Sequence, residues 1–347
     1  MGLFWWLRWE EERGASGEER VASGEWRVAG GEWRVARGVS RLLLLWDVIR
    51  LGRPLFLVGG FVFHGLGIAV ALYQGATVDV SVLILGQVII TSTQLMTHYS
   101  NDYFDLAADR ANLTPTRWSG GSRVLVERQL SPEVALVAAI ICGLVALTVT
   151  SYLALLVQPA PLTTPLLLLS LFLAWEYSGP PLRLHSRGLG AITVALIVPG
   201  LTPLIGFYLQ TGQVSWLLLG AVFPLICLQA AMIMVIDFPD AAGDRAAGKR
   251  TAVVWLGPEA AARVYPGLLG VAYLSLPLLV AGGLPWPVAL AVLIPAPVAL
   301  WLARRMRDGD WKVPAAWNGL GFWSVALLMG TAVLETAGFL LITLLTI

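Results

Sequence analysis

The most chemically loaded residues of this 347-residue chain lie in two short acidic clusters. The first, NDYFDLAAD, contributes Asn101, Asp102, Asp105 and Asp109; the second, DFPDAAGD, contributes Asp237, Asp240 and Asp244. On a continuous helix Asn101, Asp105 and Asp109 fall at i, i+4 and i+8 and share one face, with Asp102 off it. Asp240 and Asp244 repeat the four-residue step, and Asp237 lies one turn earlier. Carboxylates gathered in this way repel one another unless something positive sits between them. An all-oxygen donor set suits a hard divalent cation, Mg²⁺ or Mn²⁺. Mg²⁺ is held by a few carboxylates together with substrate phosphates, and basic residues follow each cluster: Arg117 and Arg123 after the first, Lys249 and Arg250 after the second. Solvated loop charges have no reason to recur as matched sets, so the pattern points to a Mg²⁺–diphosphate site. Cys142 and Cys227 sit in apolar stretches with no CxxC spacing and read as inert buried thiols.

The elements that must position these clusters are membrane helices. The chain is 57% hydrophobic and only 13% charged, with a mean hydropathy of +0.74, whereas soluble domains carry about 25% charge. This composition excludes an ordinary cytosolic enzyme, a disordered protein and a nucleic-acid binder. From Leu42 onward, apolar stretches near the ~20 residues needed to cross a bilayer are separated by Gly/Pro and charged loops. The expected spans are 54–73, 80–100, 132–157, 161–177, 189–209, 214–236, 261–281, 286–303 and 317–345, nine in all, with both acidic clusters at the ends of even-numbered helices.

Charge placement supports that count. Every Lys and Arg falls either in the first 53 residues or in the even-to-odd loops, with Arg263 entering the seventh helix; the loops of the opposite side have none. By the positive-inside rule the amino terminus and the basic loops face the cytoplasm. A cation-coupled transporter would put its carboxylates near the bilayer midplane; here they sit at helix ends beside basic loops. Residues 1–41 differ from the rest. They repeat with period seven (GEERVAS, GEWRVAG, GEWRVAR), but the recurring glycines weaken a coiled coil. They read as a repeat-containing, disordered extension, with an interfacial helix as the alternative, and residues 42–347 as the membrane domain.

At the acidic clusters the sequence resembles the UbiA superfamily of intramembrane prenyltransferases. NDYFDLAAD is similar to its first aspartate-rich motif, and DFPDAAGDRAAGKRTAVVWLG to its second with the Gly-Lys-Arg-Thr tail. YSGPPLRLHSRGLG, from Tyr177 to Gly190, resembles the segment between them, and RLGRPLF resembles the start of the first helix. The tail and the YSGPP segment lean toward the menaquinone branch, although Ile236 stands where many members carry asparagine. The resemblance implies an all-α bundle of nine transmembrane helices around a central cavity, in the cell (inner) membrane. It implies transfer of a polyprenyl group from its diphosphate to an aromatic acceptor, 1,4-dihydroxy-2-naphthoate in that branch. Other acceptors of the superfamily are 4-hydroxybenzoate, chlorophyll-type, haem or archaeal-lipid precursors. Two Mg²⁺ ions are implied, one served by Asn101, Asp105 and Asp109, the other by Asp240 and Asp244 with Asp237 assisting. Arg117, Arg123, Lys249, Arg250 and Arg183 would contact the diphosphate, and Tyr177 the reacting carbon or leaving oxygen. The expected partners are the two substrates and membrane lipid, with no obligate protein partner.

Overall fold

The computed structural model describes residues 43–346; the heptads and the extension expected over 1–41 lie outside them. Helix α1 (Pro54–Tyr73) opens on a proline, whose fixed φ suits a first helical position. Helix α2 (Val80–Phe104) is capped by the Asp79 carboxylate, which accepts from the backbone N–H groups of Ser81 and Val82. The short helix α3 (Leu106–Ala111) follows at once. Next come α4 (Pro132–Val157), α5 (Thr163–Glu176) and α6 (Gly190–Thr211). Helix α7 (Trp216–Ala246) is capped by the Ser215 hydroxyl, and α8 spans Pro258–Ala281. Helices α9 (Trp286–Leu293) and α10 (Ala296–Asp308) meet at a bend of 41°, and α11 runs from Pro314 to Thr346.

Helix positions follow the sequence closely, but the count of nine spans is not confirmed. Among the described residues seven helices are long and apolar enough to cross a membrane, eight if the bent α9–α10 pair is one span. The fourth expected span, α5, has 14 residues, about 21 Å at ~1.5 Å per residue, short of a ~30 Å hydrocarbon core. Proline sets these limits: Pro161 lies just before α5, and Pro295 sits at the α9–α10 bend.

Helix α7 packs against α1's partner α11 and against α8, and α11 also packs against α1, so the first and last helices are neighbours. Phe63, Phe207, Leu225, Tyr265 and Phe339 form the buried core between them. Large apolar side chains also cover the outside: Leu155 is 73% exposed and Leu274 79%. Water would not tolerate such a surface, but lipid does. This is an integral membrane protein.

Candidate functional site

The two acidic clusters reach the site by different routes. Helix α2 stops at Phe104, and Asp105 occupies the break (φ −94°, ψ 2°) before α3 begins. The continuous face expected for Asn101, Asp105 and Asp109 is therefore interrupted at its central residue. Helix α7, by contrast, continues as helix through Pro239, ten residues beyond its expected end, and carries Asp237, Asp240 and Asp244 on regular backbone. Helices α3 and α7 then meet backbone to backbone. A Cβ on Gly243 would lie 2.9 Å from the Ala108 carbonyl oxygen and the Asn112 nitrogen, so the contact requires glycine.

Docking the helices in this way mixes the clusters. In one lobe the Lys249 ammonium donates to Asp105 Oδ2 at 2.8 Å and lies 3.5 Å from Asp244 Oδ1. His185 stands between the clusters, Nδ1 3.6 Å from Asp105 and Nε2 3.8 Å from Asp237. Asn101 donates through Nδ2 to Asp105 Oδ2 (2.6 Å) and to Ser178 Oγ (2.8 Å). Tyr177 stacks on the His185 ring with centroids 4.7 Å apart. In the second lobe Arg53 donates to Asp102 at 2.6 Å, and the Ser122 hydroxyl and N–H both donate to Asp102. Asp240 accepts from Asn112 Nδ2 (2.6 Å) and the Gly120 N–H (3.1 Å). The Asp109 carboxylate lies against Gly121, whose φ of +74° and lack of a Cβ make room for it. Each lobe thus draws carboxylates from both motifs.

Charge interactions decide protonation outside the spans. Burial alone would raise the Asp105 carboxyl, but Lys249 and His185 override it and hold it below the usual carboxylate range. Burial and Lys249 push the His185 imidazolium down, yet Asp105 and Asp237 carry it up to about 9. Lys249 is buried too, and Asp105 and Asp244 raise it nonetheless. Asp109 goes the other way: burial and the neighbouring Asp102 charge push it up to about 7, against the pull of Arg53. Burial pulls the Arg53 guanidinium down, but Asp102, Asp109 and Asp240 together lift it above its ordinary value. Burial, followed by the Asp237 charge, raises the Tyr177 phenol.

Of the basic residues expected to meet diphosphate, Lys249 lies among the carboxylates and Arg123 donates to the Asp109 carbonyl at 2.6 Å. Arg117, Arg183 and Arg250 are exposed. The Arg117 guanidinium lies 6.0 Å over the Trp118 ring, and Arg250 bonds through its backbone to Ser186. Arg53, Asn112, Ser122 and His185 also meet the clusters, and the spacing of the acidic residues does not point to them, nor to the place Asp102 takes off the shared face. The signal for Asp102 was present, since it belongs to the first cluster, and Arg53 lies in the RLGRPLF segment.

The donor set fits a divalent ion. Asp237 Oδ2 and Asp244 Oδ2 are buried without a hydrogen-bond partner, which is costly unless something positive arrives. Among the described residues no three His, Cys, Asp or Glu side chains form a ready cage; Mg²⁺ sites that take one or two carboxylates and complete themselves with phosphate have this character.

Residues 61–329 match the UbiA prenyltransferase family. A 2-carboxy-1,4-naphthoquinone phytyltransferase of Synechocystis sp. is 30% identical over 177 residues, which is 49% of this chain and 55% of that protein. The match thus spans about half the length of this curated relative. Among solved structures, a UbiA homologue from Aeropyrum pernix aligns with a TM-score of 0.59 at 16% identity, covering 82% of this chain and 97% of that one. A UbiA homologue from Archaeoglobus fulgidus bound to GPP and Mg²⁺ aligns with a TM-score of 0.53 at 17% identity, covering 83% and 99%.

Proposed function

Because the chain belongs to the UbiA prenyltransferase family and is a membrane-embedded prenyltransferase, we propose that it transfers a polyprenyl group from its diphosphate to 1,4-dihydroxy-2-naphthoate. The observation that carries this reading is the convergence of the two acidic motifs on one buried cation, Lys249, which donates to Asp105 and lies 3.5 Å from Asp244. The naphthoquinone phytyltransferase relative supports the acceptor class, and the GPP- and Mg²⁺-bound homologue supports the donor class. The other acceptors of the superfamily remain the alternatives to be tested.

Asp237 and Asp244 in one lobe, whose Oδ2 atoms lack a partner, and Asp109 and Asp240 in the other would hold two divalent ions, Mg²⁺ or Mn²⁺, completed by diphosphate oxygens, with Asn101 and Asp105 beside the first. Bound there, the ions would neutralise the charge that develops on departing diphosphate. Lys249, paired with Asp105 and Asp244, adds a buried cation for the phosphate oxygens. Arg123 is set to bind the same group, with Arg117, Arg183 and Arg250 at the exposed edge to draw the anion in. Asp102 is fully engaged by Arg53 and Ser122, and its role is to keep Arg53 and the 119–123 loop in place. The C–O bond of the donor breaks, and diphosphate leaves with the electron pair. The electron-rich acceptor ring forms the new C–C bond, and its carboxylate leaves as CO₂. Tyr177, held flat against His185, offers an aromatic face to the allylic cation, and the apolar helices exclude the water that would quench it. The active-site loops and amino terminus face the cytoplasm, with the protein in the cell's inner membrane.

The test is mass spectrometry of products from membranes supplied with Mg²⁺, a polyprenyl diphosphate and a panel of acceptors. Prenylated, decarboxylated naphthoquinol is expected; a product from a different acceptor alone would overturn the naphthoate assignment.

A further inference from the structure

A cavity of about 710 Å³ opens among α1, α2 and α11, and none of the aspartates lines it. Its walls are apolar, with Phe61, Ile68, Leu72, Ile84 and Leu340 among them. Phe61 and Ile84 are each 55% exposed on the surface that lipid covers, so the cavity is open to the membrane. Its volume lies within the ~300–1,000 Å³ of small-molecule sites.

One edge is polar. His64 Nδ1 lies 3.0 Å from Gln87 Oε1, and Gln87 Nε2 donates to Thr91 Oγ1 at 3.0 Å. An amide oxygen only accepts, so His64 carries its proton on Nδ1; an amide nitrogen only donates, so Thr91 Oγ1 accepts. The Thr91 hydroxyl proton then remains to be placed. Thr97, Thr193, Thr331 and Thr336 each turn theirs back to the carbonyl four residues upstream. Thr91 does not, and its side chain lines the cavity, as does that of Ser92, which lies outside the relay. The relay therefore ends in a hydroxyl that borders an apolar space within the membrane, where an unmet donor is costly. No charged side chain lines the cavity, which disfavours an ionic headgroup.

We propose that this cavity is a second ligand site, for the ring of a neutral, lipid-soluble quinone whose carbonyl oxygen accepts from Thr91. Ten residues separate Thr91 from Asn101, about 15 Å along α2, so the ring bound here lies apart from the transfer site. The proposal needs neither the aspartates nor a prenyl donor, and it stands or falls separately from the naphthoate assignment.

The experiment is saturation binding to the full chain in phosphatidylcholine nanodiscs, without Mg²⁺ or prenyl diphosphate, with empty nanodiscs as background. The probes are 2-methyl-1,4-naphthoquinone and 2-methylnaphthalene, alike in shape but differing in the carbonyl oxygens. Wild-type protein should bind the quinone saturably and about tenfold tighter than the hydrocarbon, the effect of one hydrogen bond made in a dry site. Thr91→Val should erase that difference, and Thr91→Ser, which keeps the donor, should retain it. Equal binding of both probes to wild type would mean that a hydrocarbon chain fills the cavity. That result, absent saturable binding, or a preference surviving in Thr91→Val would each overturn the proposal; the wild-type comparison decides even if a variant fails to fold.

Discussion

The two ends of α2 solve opposite problems. Around Asn101–Asp109 the chain collects six aspartates from two motifs and holds them with Arg53, Lys249 and His185, leaving carboxylate oxygens of Asp237 and Asp244 unmet. Around Gln87 and Thr91 the same helix has no charge at all, only a neutral relay ending at Thr91 with the Ser92 hydroxyl next to it. The contrast teaches that polarity inside this bundle is organised by sign. One region is built to gather anionic oxygen around cations, the other to satisfy a single neutral acceptor.

Breaking the charged end should have the largest consequence. Asp105→Asn or Asp240→Asn is expected to lower prenyl transfer by about 10²–10³-fold or more, on the scale set by losing one electrostatic contact to a developing charge. Product mass spectrometry on folded, membrane-inserted protein reads this, and near-wild-type turnover in both variants would dissolve the two-lobe assignment. Thr91→Val should leave the same turnover essentially unchanged.

Lys249→Met should come next. It strands Asp105 and Asp244 in a buried site, and removing one partner of a buried ion pair costs about 3–5 kcal/mol. Thermal unfolding in detergent with a chelator present should show this loss, and added Mg²⁺ should recover part of it. Gly243→Ala is expected to cost about 1–3 kcal/mol through overpacking of α7 on the α3 backbone, and to lower transfer by moving Asp240 relative to Asn112. The corresponding substitution at Gly75, whose Cβ meets nothing within 4 Å but whose φ is +84°, should leave transfer intact despite some backbone strain.

The smallest expected effect is in pH dependence. The His185 value in the folded chain, about 9, lies above its ordinary 6.5. Its contribution to stability is therefore complete below about 6.5 and is lost as pH rises through about 9. Chelated protein should lose melting temperature across that window, and His185→Gln should flatten the slope. An unchanged slope would mean that the imidazolium does not bind Asp105 and Asp237 together.

Much of this was legible in the sequence. The expected limits of α1 and α4 coincide with the observed ones, 54–73 and 132–157, because the proline that starts each, Gly75 after the first, Pro159 after the second and the unbroken apolar runs between act locally. The two acidic clusters and Lys249 were equally plain, since charge inside a hydrophobic chain is conspicuous. The residues that escaped are those whose meaning depends on a distant partner. Arg53 reads as a helix-start arginine until Asp102 appears beside it, and His185 as a loop histidine until Asp105 and Asp237 flank it. Gln87 and Thr91 belong to an apolar run until His64 completes the relay.

By itself, the sequence determined that the chain forms helices in a membrane and which oxygen donors those helices carry, because hydropathy and helical spacing act over neighbouring residues. Only the tertiary structure decided that α2 breaks at Asp105 and that the motifs exchange partners across two lobes. Those outcomes depend on how closely α3 and α7 approach and on where buried charges separated by more than a hundred residues find compensation, and neither leaves a periodic trace along the chain.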